Sequence, residues 1–166
     1  MQQRDVENAG AVTRSIIKDG VVTADDWQVV GLEPEIVDAA SSRKILPLED
    51  YLTQGHVLLG EDCRYAVWLS SDEDFERYIE LLLGLPLIAV YFSSFTDGRG
   101  FSMATLLRER YGYQGELRAI GQILPDQLHY LKRCGFSAFQ FEDGVSLEDA
   151  MQSLDDFSSS YQPAAD

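Results

Sequence analysis

The sequence predicts an α/β fold: four consecutive βα units, built as a half-barrel-like wall or a small open parallel sheet, preceded by a short N-terminal β-hairpin region. Three observations predict it. From Tyr65 onward, short apolar runs rich in β-formers alternate with stretches whose apolar residues recur every three or four positions. Gly84, Gly112 and Gly135 each close a helical stretch. Earlier, Asp19-Gly20 separates the β-branched pairs Ile16-Ile17 and Val21-Val22, which is a hairpin signal.

Taken in order, residues 1–14 carry no periodic pattern and are expected to be loose. Ser15 to Val22 forms the hairpin, and Trp27 to Val30 adds a third short strand. Residues 31–45 are acidic and irregular, with Pro34 as a breaker, and read as loop. Pro47 opens a short helix through Tyr51 and Leu52. The regular pattern then starts with a strand at Tyr65–Leu69. Ser71 is expected to cap a helix whose first turn is Asp72, Glu73 and Asp74, with Phe75, Tyr78, Ile79 and Leu82 on its apolar face. Leu87–Phe92 is unbroken in its apolarity, as a parallel strand covered on both faces requires. Phe101, Ala104, Leu107 and Tyr111 stripe the next helix, and Glu116–Ile120 is the third strand. Pro125 opens a helix carrying Leu128 and Leu131, and Ala138–Phe141 is the fourth strand. Ser146, with Asp149 three residues on, starts the last helix in capping-box fashion. The chain thus reads as one domain: an N-terminal β and irregular extension over 1–60, a βα core over 61–158 and a frayed tail over 159–166.

With 166 residues, such a domain buries roughly 70% of its extended surface. At 45% hydrophobic and 25% charged, the composition is that of an ordinary globular protein. No apolar run reaches the ~20 residues of a membrane helix. Met1–Gly10 is polar rather than signal-like, so a cytoplasmic location is expected. A net charge of −15 argues against nucleic acid, whose phosphates need clustered Lys and Arg. That charge is unevenly spread. Thr96–Gly135 carries six bases and four acids, while the rest of the chain carries seven bases and 24 acids. Cys63 and Cys134 form no Cys-x-x-Cys pair, and no His-Glu-x-x-His or other readable ligand spacing points to a metal.

The stretch most able to bind something is Phe95-Thr96-Asp97-Gly98-Arg99-Gly100-Phe101-Ser102, between the Leu87–Phe92 strand and the following helix. A loop at a strand's carboxyl end, entering a helix N-terminus, is where α/β proteins hold anions. Arg99, flanked by Gly98 and Gly100, is expected to aim its guanidinium at a small anion, with Ser94, Thr96 and Ser102 adding hydroxyl donors and Asp97 orienting Arg99. The plainer alternative is a tight Asp97-Gly98 turn, with Asp97 or Thr96 as the helix cap. Gln122 and Gln127 lie at the next strand end and helix start. Arg118 alternates with Leu117 and Ala119, on the same strand face as Glu116. If the sheet curls, Arg118 is an interior residue and needs Glu116 or an anion as partner. The loop has neither the Walker Gly-Lys-Ser/Thr nor a complete Gly-x-Gly-x-x-Gly, since Met103 stands at the third glycine's place.

FTDGRGFS, the following LLRERYGYQGELRAIG and then LPDQLHYLKRCGFSAF together resemble a family of uncharacterised bacterial proteins. Its members are commonly encoded beside the hemoprotein subunit of assimilatory sulfite reductase, and some are described as oxidoreductases of sulfite reduction. The likeness is strongest over Leu85–Phe141, and SIIKDGVVTADDWQVV is similar to the family's opening. Gln122 departs from it, standing where an acidic residue is expected. The resemblance implies an accessory protein of sulfite assimilation that binds a small anionic ligand, the reductase hemoprotein, or both. The other reading it implies is an oxidoreductase using a diffusible redox cofactor. No cysteine pair, cluster spacing or dinucleotide fingerprint supports that second reading. An open half-barrel exposes an edge to be covered by the N-terminal strands or by a second subunit, and a homodimer is expected.

Overall fold

The computed structural model describes residues 14–32, 43–58 and 64–160. The expectations placed on residues 1–13, most of 31–45, Cys63 and 161–166 lie outside the described residues. Among the described residues eight strands form one sheet: β1 (Ser15–Lys18), β2 (Val21–Ala24), β3 (Trp27–Val29), β4 (Arg43–Pro47), β5 (Tyr65–Ser70), β6 (Leu87–Phe92), β7 (Glu116–Gly121) and β8 (Ala138–Phe141). Five helices accompany them: α1 (Leu48–Leu58), α2 (Ile79–Leu83), α3 (Arg99–Thr105), α4 (Leu128–Cys134) and α5 (Leu147–Ser160). None of them is long and apolar enough to cross a membrane.

The strand order is β2-β1-β8-β7-β6-β5-β4-β3. Strands β3 to β8 are mutually parallel and adjacent in chain order, as right-handed βα crossovers demand. The hairpin β1–β2 adds antiparallel to β8, so its edge is covered within one chain. The βα series also begins one unit earlier than the sequence suggests, with β4 and α1. Residues 43–45 fall in the acidic, irregular 31–45 stretch that reads as loop, and Pro47 reads as a helix start, but neighbours on both sides supply a strand ladder over Arg43–Pro47.

Chain direction shows how far the sheet rolls. Strands β2 and β3 lie at opposite edges yet point the same way, and only Asp25-Asp26 joins them. A crossover between separate parallel strands needs a dozen residues or more. Two residues suffice only if Val21–Val29 is one extended segment, whose first half pairs with one edge and whose second half pairs with the other. The sheet is therefore curled, half-barrel-like, and the open-sheet alternative falls away.

Two apolar layers follow from strand alternation. Outward, toward the helices, Val67, Leu69, Ile88, Val90, Phe92, Leu117, Phe139 and Phe141 pack against Leu82, Met103, Leu107, Leu128, Leu131 and Leu154. Inward, Ile45, Ala66, Leu87, Ala89 and Ile120 cluster with Trp27, Trp68 and Tyr91. Small side chains at 66, 89 and 138 suit a narrow interior and leave room for one long side chain, Arg118, which is 1% exposed. Its Nη1 and Nη2 donate to the two oxygens of Asp25 at 2.9 and 3.1 Å. Its Nε donates to Glu116 at 2.8 Å and its Nη1 to Gln140 at 3.1 Å. Glu116 in turn meets Lys18 at 2.9 Å. Asp25 also accepts the amide of Trp27 at 3.1 Å, which turns the chain between the two halves of the closing segment.

Local structure departs from expectation in two places. Ser71 does not cap a helix. Ser70 gathers the acidic turn instead, donating its hydroxyl to Asp72 at 2.7 Å and to Glu73 at 3.1 Å, and helical structure begins only at the 3₁₀ turn Phe75–Tyr78. Beyond α3, Leu106–Arg110 widens into π-helical geometry, closed by Tyr111 N–H donating to the Leu106 carbonyl at 3.1 Å.

Removing Asp25 strands a guanidinium in the interior. Asp25→Ala is expected to lower unfolding stability by about 3–5 kcal/mol. Asp143→Ala, at a carboxylate 90% exposed, is expected to stay within about 0.5 kcal/mol. Urea denaturation followed by tryptophan fluorescence reads both.

Candidate functional site

The loop between β6 and α3 is organised by short polar side chains. The Asp97 amide donates to the Ser94 carbonyl at 3.1 Å, and the hydroxyls of Ser94 and Thr96 lie 2.8 Å apart. Thr96 N–H donates to Ser94 Oγ at 3.2 Å. Asp97 is the hub. It accepts the Arg99 amide at 3.1 Å, and with it the Arg99 side chain, Nε at 3.0 Å and Nη2 at 3.1 Å. Ser71, arriving from the end of β5, donates its hydroxyl to the same carboxylate. The Arg99 fork, then the Ser71 hydroxyl, then the Arg99 amide hold the Asp97 carboxyl well below the usual carboxylate range.

The two glycines differ in purpose. Gly98 has φ −76° and ψ −11°, open to any residue. Gly100 is buried, and a Cβ there would overlap the ring of Phe92. It is the close packing of α3 on β6 that requires glycine at 100. Ser102 lies exposed in the first turn of α3.

Gln127 reaches the loop from the next strand end. Its Nε2 donates to the Phe95 carbonyl at 2.8 Å, and its Oε1 accepts the Leu124 amide at 2.9 Å. It thereby ties the β6–α3 loop to the β7–α4 loop. Gln122 is exposed, and its amide donates to the Phe92 carbonyl at 2.8 Å. The structure thus brings Ser94, Thr96, Asp97, Gly98, Arg99, Gly100 and Gln127 together and adds Ser71, which in the sequence reads only as a helix cap. Arg118 is not among them: it is an interior residue whose partners are Asp25, Glu116 and Gln140. Nothing in the sequence paired Asp25 with Arg118 across 93 positions.

Around this loop the molecule is acidic. Asp72, Asp74, Asp126, Glu142 and Asp143 are exposed at the carboxyl ends of the strands, and Glu49, Asp50, Glu148 and Asp149 are exposed in helix first turns. Arg99, 63% exposed, stands among them. The opposite end carries cations in the last turns, Arg108 and Arg110 after α3 and Lys132 and Arg133 in α4. Each placement suits the helix dipole. Among the described residues no group of three or more His, Cys, Asp or Glu is placed to hold a metal ion.

Because the folded-state pKa of Asp97 is depressed, its stabilising effect is complete above the ordinary range near about 4 and fades as pH falls below it. Exposure of Arg99 keeps the effect small. Asp97→Asn is expected to flatten the acid side of the stability–pH curve without altering stability's response to pH above about 5. Urea midpoints measured across the acid range test this, and equal acid slopes for both chains would contradict it.

Neither the curated proteins nor the solved structures contain a match to this chain. One family model does match, over residues 66–166, the region from β5 through α5 that contains the Asp97–Arg99 loop but not Asp25. The chain therefore belongs to the family described as "Bacterial protein of unknown function (DUF934)".

Proposed function

We propose that the protein is an accessory factor of assimilatory sulfite reduction that docks on the reductase hemoprotein through its acidic end. The pathway rests on the resemblance carried by the FTDGRGFS, LLRERYGYQGELRAIG and LPDQLHYLKRCGFSAF stretches. The mode of action rests on one observation: nine exposed carboxylates gather at the carboxyl ends of the strands and in the adjoining helix starts. Such a surface speeds encounter with a basic partner and fixes its orientation more than it adds affinity.

Docking is preferred to capture of a free anion because of how Arg99 is held. A small anion at Arg99 has to compete with the Asp97 carboxylate already on Nε and Nη2, within a field of further carboxylates. A large partner can meet Arg99 and Asp97 together as one neutral, oriented pair. The loops that present the pair are braced by Gln127 and Ser71, so little ordering is required on contact.

Association with purified hemoprotein, measured by biolayer interferometry, tests the reading. Binding is expected to be fast at low ionic strength and to slow steeply as salt rises. Replacing Glu142, Asp143, Glu148 and Asp149 by their amides is expected to slow association about tenfold or more with little change in dissociation. Absence of binding at any ionic strength would overturn the proposal. So would sulfite-linked electron transfer by this chain alone with a flavin or pyridine nucleotide.

A further inference from the structure

At the other end of the curled sheet, where the strands begin, lies an open recess of about 390 Å³ lined by Lys18, Trp27, Arg43, Gln114, Glu116 and Ser137, with Arg108 in its wall. We propose that this recess is a binding site for a small flat anion: an aromatic or heteroaromatic ring bearing a carboxylate or phosphate. The site is distinct from the acidic docking face and independent of it.

Three features carry the assignment. First, charge. The lining brings three cations from three separate elements, Lys18 from β1, Arg43 from β4 and Arg108 from the π-helical turn, against the carboxylates of Asp19 and Glu116. The lining thus carries one cation more than carboxylates, on a chain of net charge −15. Arg108 brings its charge without a carboxylate partner in its own contacts: Nε donates to the Gly135 carbonyl at 2.8 Å, and Nη1 donates to the Tyr113 and Gly115 carbonyls at 2.7 and 2.9 Å. Those bonds fix the guanidinium in the wall, and burial lowers its pKa from the ordinary value.

Second, reach. Lys18 and Arg43 are 45% and 43% exposed, so both can turn toward a ligand. Arg43 pairs with Asp26 at 3.3 Å, and Asp26 is 73% exposed. Lys18 shares Glu116 with Arg118, so when a ligand anion draws Lys18 away Glu116 keeps its contact with Arg118.

Third, shape. The Arg43 guanidinium lies over the Trp27 ring, 5.2 Å from its centroid. A flat ring can extend that stack while its anionic group meets the cations, which is how guanidinium and indole faces recognise planar anions. The volume lies at the lower end of the range for small-molecule sites, enough for a ring compound up to about mononucleotide size. The π-helical turn that delivers Arg108 is a rare geometry that recurs at functional sites.

Trp27 provides the readout. Trp27 and Trp68 are the two tryptophans, so Trp68→Phe leaves Trp27 as the sole indole. Nicotinate and AMP are titrated against this chain, with nicotinamide, adenosine and inorganic phosphate as controls. Calorimetry on the unsubstituted chain repeats the measurement without relying on Trp68→Phe. The expected result is saturable quenching by nicotinate or AMP, at least about tenfold tighter than by the matching neutral ring or by phosphate alone, equivalent to about 1.4 kcal/mol. Whichever of the two binds names the anionic group as carboxylate or phosphate. Arg43→Gln is expected to weaken that binding about tenfold or more without shifting thermal unfolding. Arg99→Ala, at the opposite end, is expected to leave it unchanged. The proposal is overturned if neither probe saturates at millimolar concentration, if Arg43→Gln binds as tightly as the parent, or if Arg99→Ala abolishes binding.

Discussion

One guanidinium in the middle of the sheet holds this architecture together. Arg118 projects from β7 into the interior and takes both oxygens of Asp25, at the bend of the segment that supplies both edges. Glu116 and Gln140 take the remaining donors, and no buried side-chain nitrogen or oxygen among the described residues lacks a partner. Taking these charges out of water costs several kcal/mol per ion, and an apolar filling of equal volume would serve stability as well or better. The pair instead constrains register. It admits one register of the closing segment, because a slip by one residue would point Asp25 away from the interior.

The rolled sheet produces an electrically polar molecule. Helices return antiparallel to their strands, so helix starts and strand ends share one face and helix ends share the other. Acidic first turns, Glu49-Asp50 in α1 and Glu148-Asp149 in α5, then fall together at one end. Arg108, Arg110, Lys132 and Arg133 fall together at the other. Local rules of helix electrostatics, each worth a fraction of a kcal/mol, thereby sum to a molecular dipole able to orient a partner. The packed interior around Ile45, Ala89 and Arg118 separates the two ends.

The Asp97–Arg99 loop shows how a local motif can be legible in kind and ambiguous in use. Its residues are contiguous, so a strand, a turn and a helix start could be read directly, and so could a contact between Asp97 and Arg99. The short-range bonds alone, however, do not say whether the fork is open to a ligand. The hold on Asp97 also involves Ser71, which is 26 positions away and arrives only because β5 and β6 are neighbours. Gln127 is similar: its place at the start of a helix is evident, whereas its bond to the Phe95 carbonyl spans 32 positions.

By itself the sequence determined the α/β class, the hairpin, the four units from β5 to α5 and the acidic character. Each of these rests on periodicity, turn chemistry or composition within some twenty neighbouring residues. Tertiary structure alone decided the roll of the sheet, the recruitment of Arg43–Pro47 as a strand, the partnership of Arg118 with Asp25 and the recess that Lys18, Trp27 and Arg43 share. Those outcomes depend on which distant segments become neighbours. A charged pentapeptide pairs as a strand only when ladders await it on both sides, and a buried arginine is tolerable only when a carboxylate 93 positions away is folded onto it.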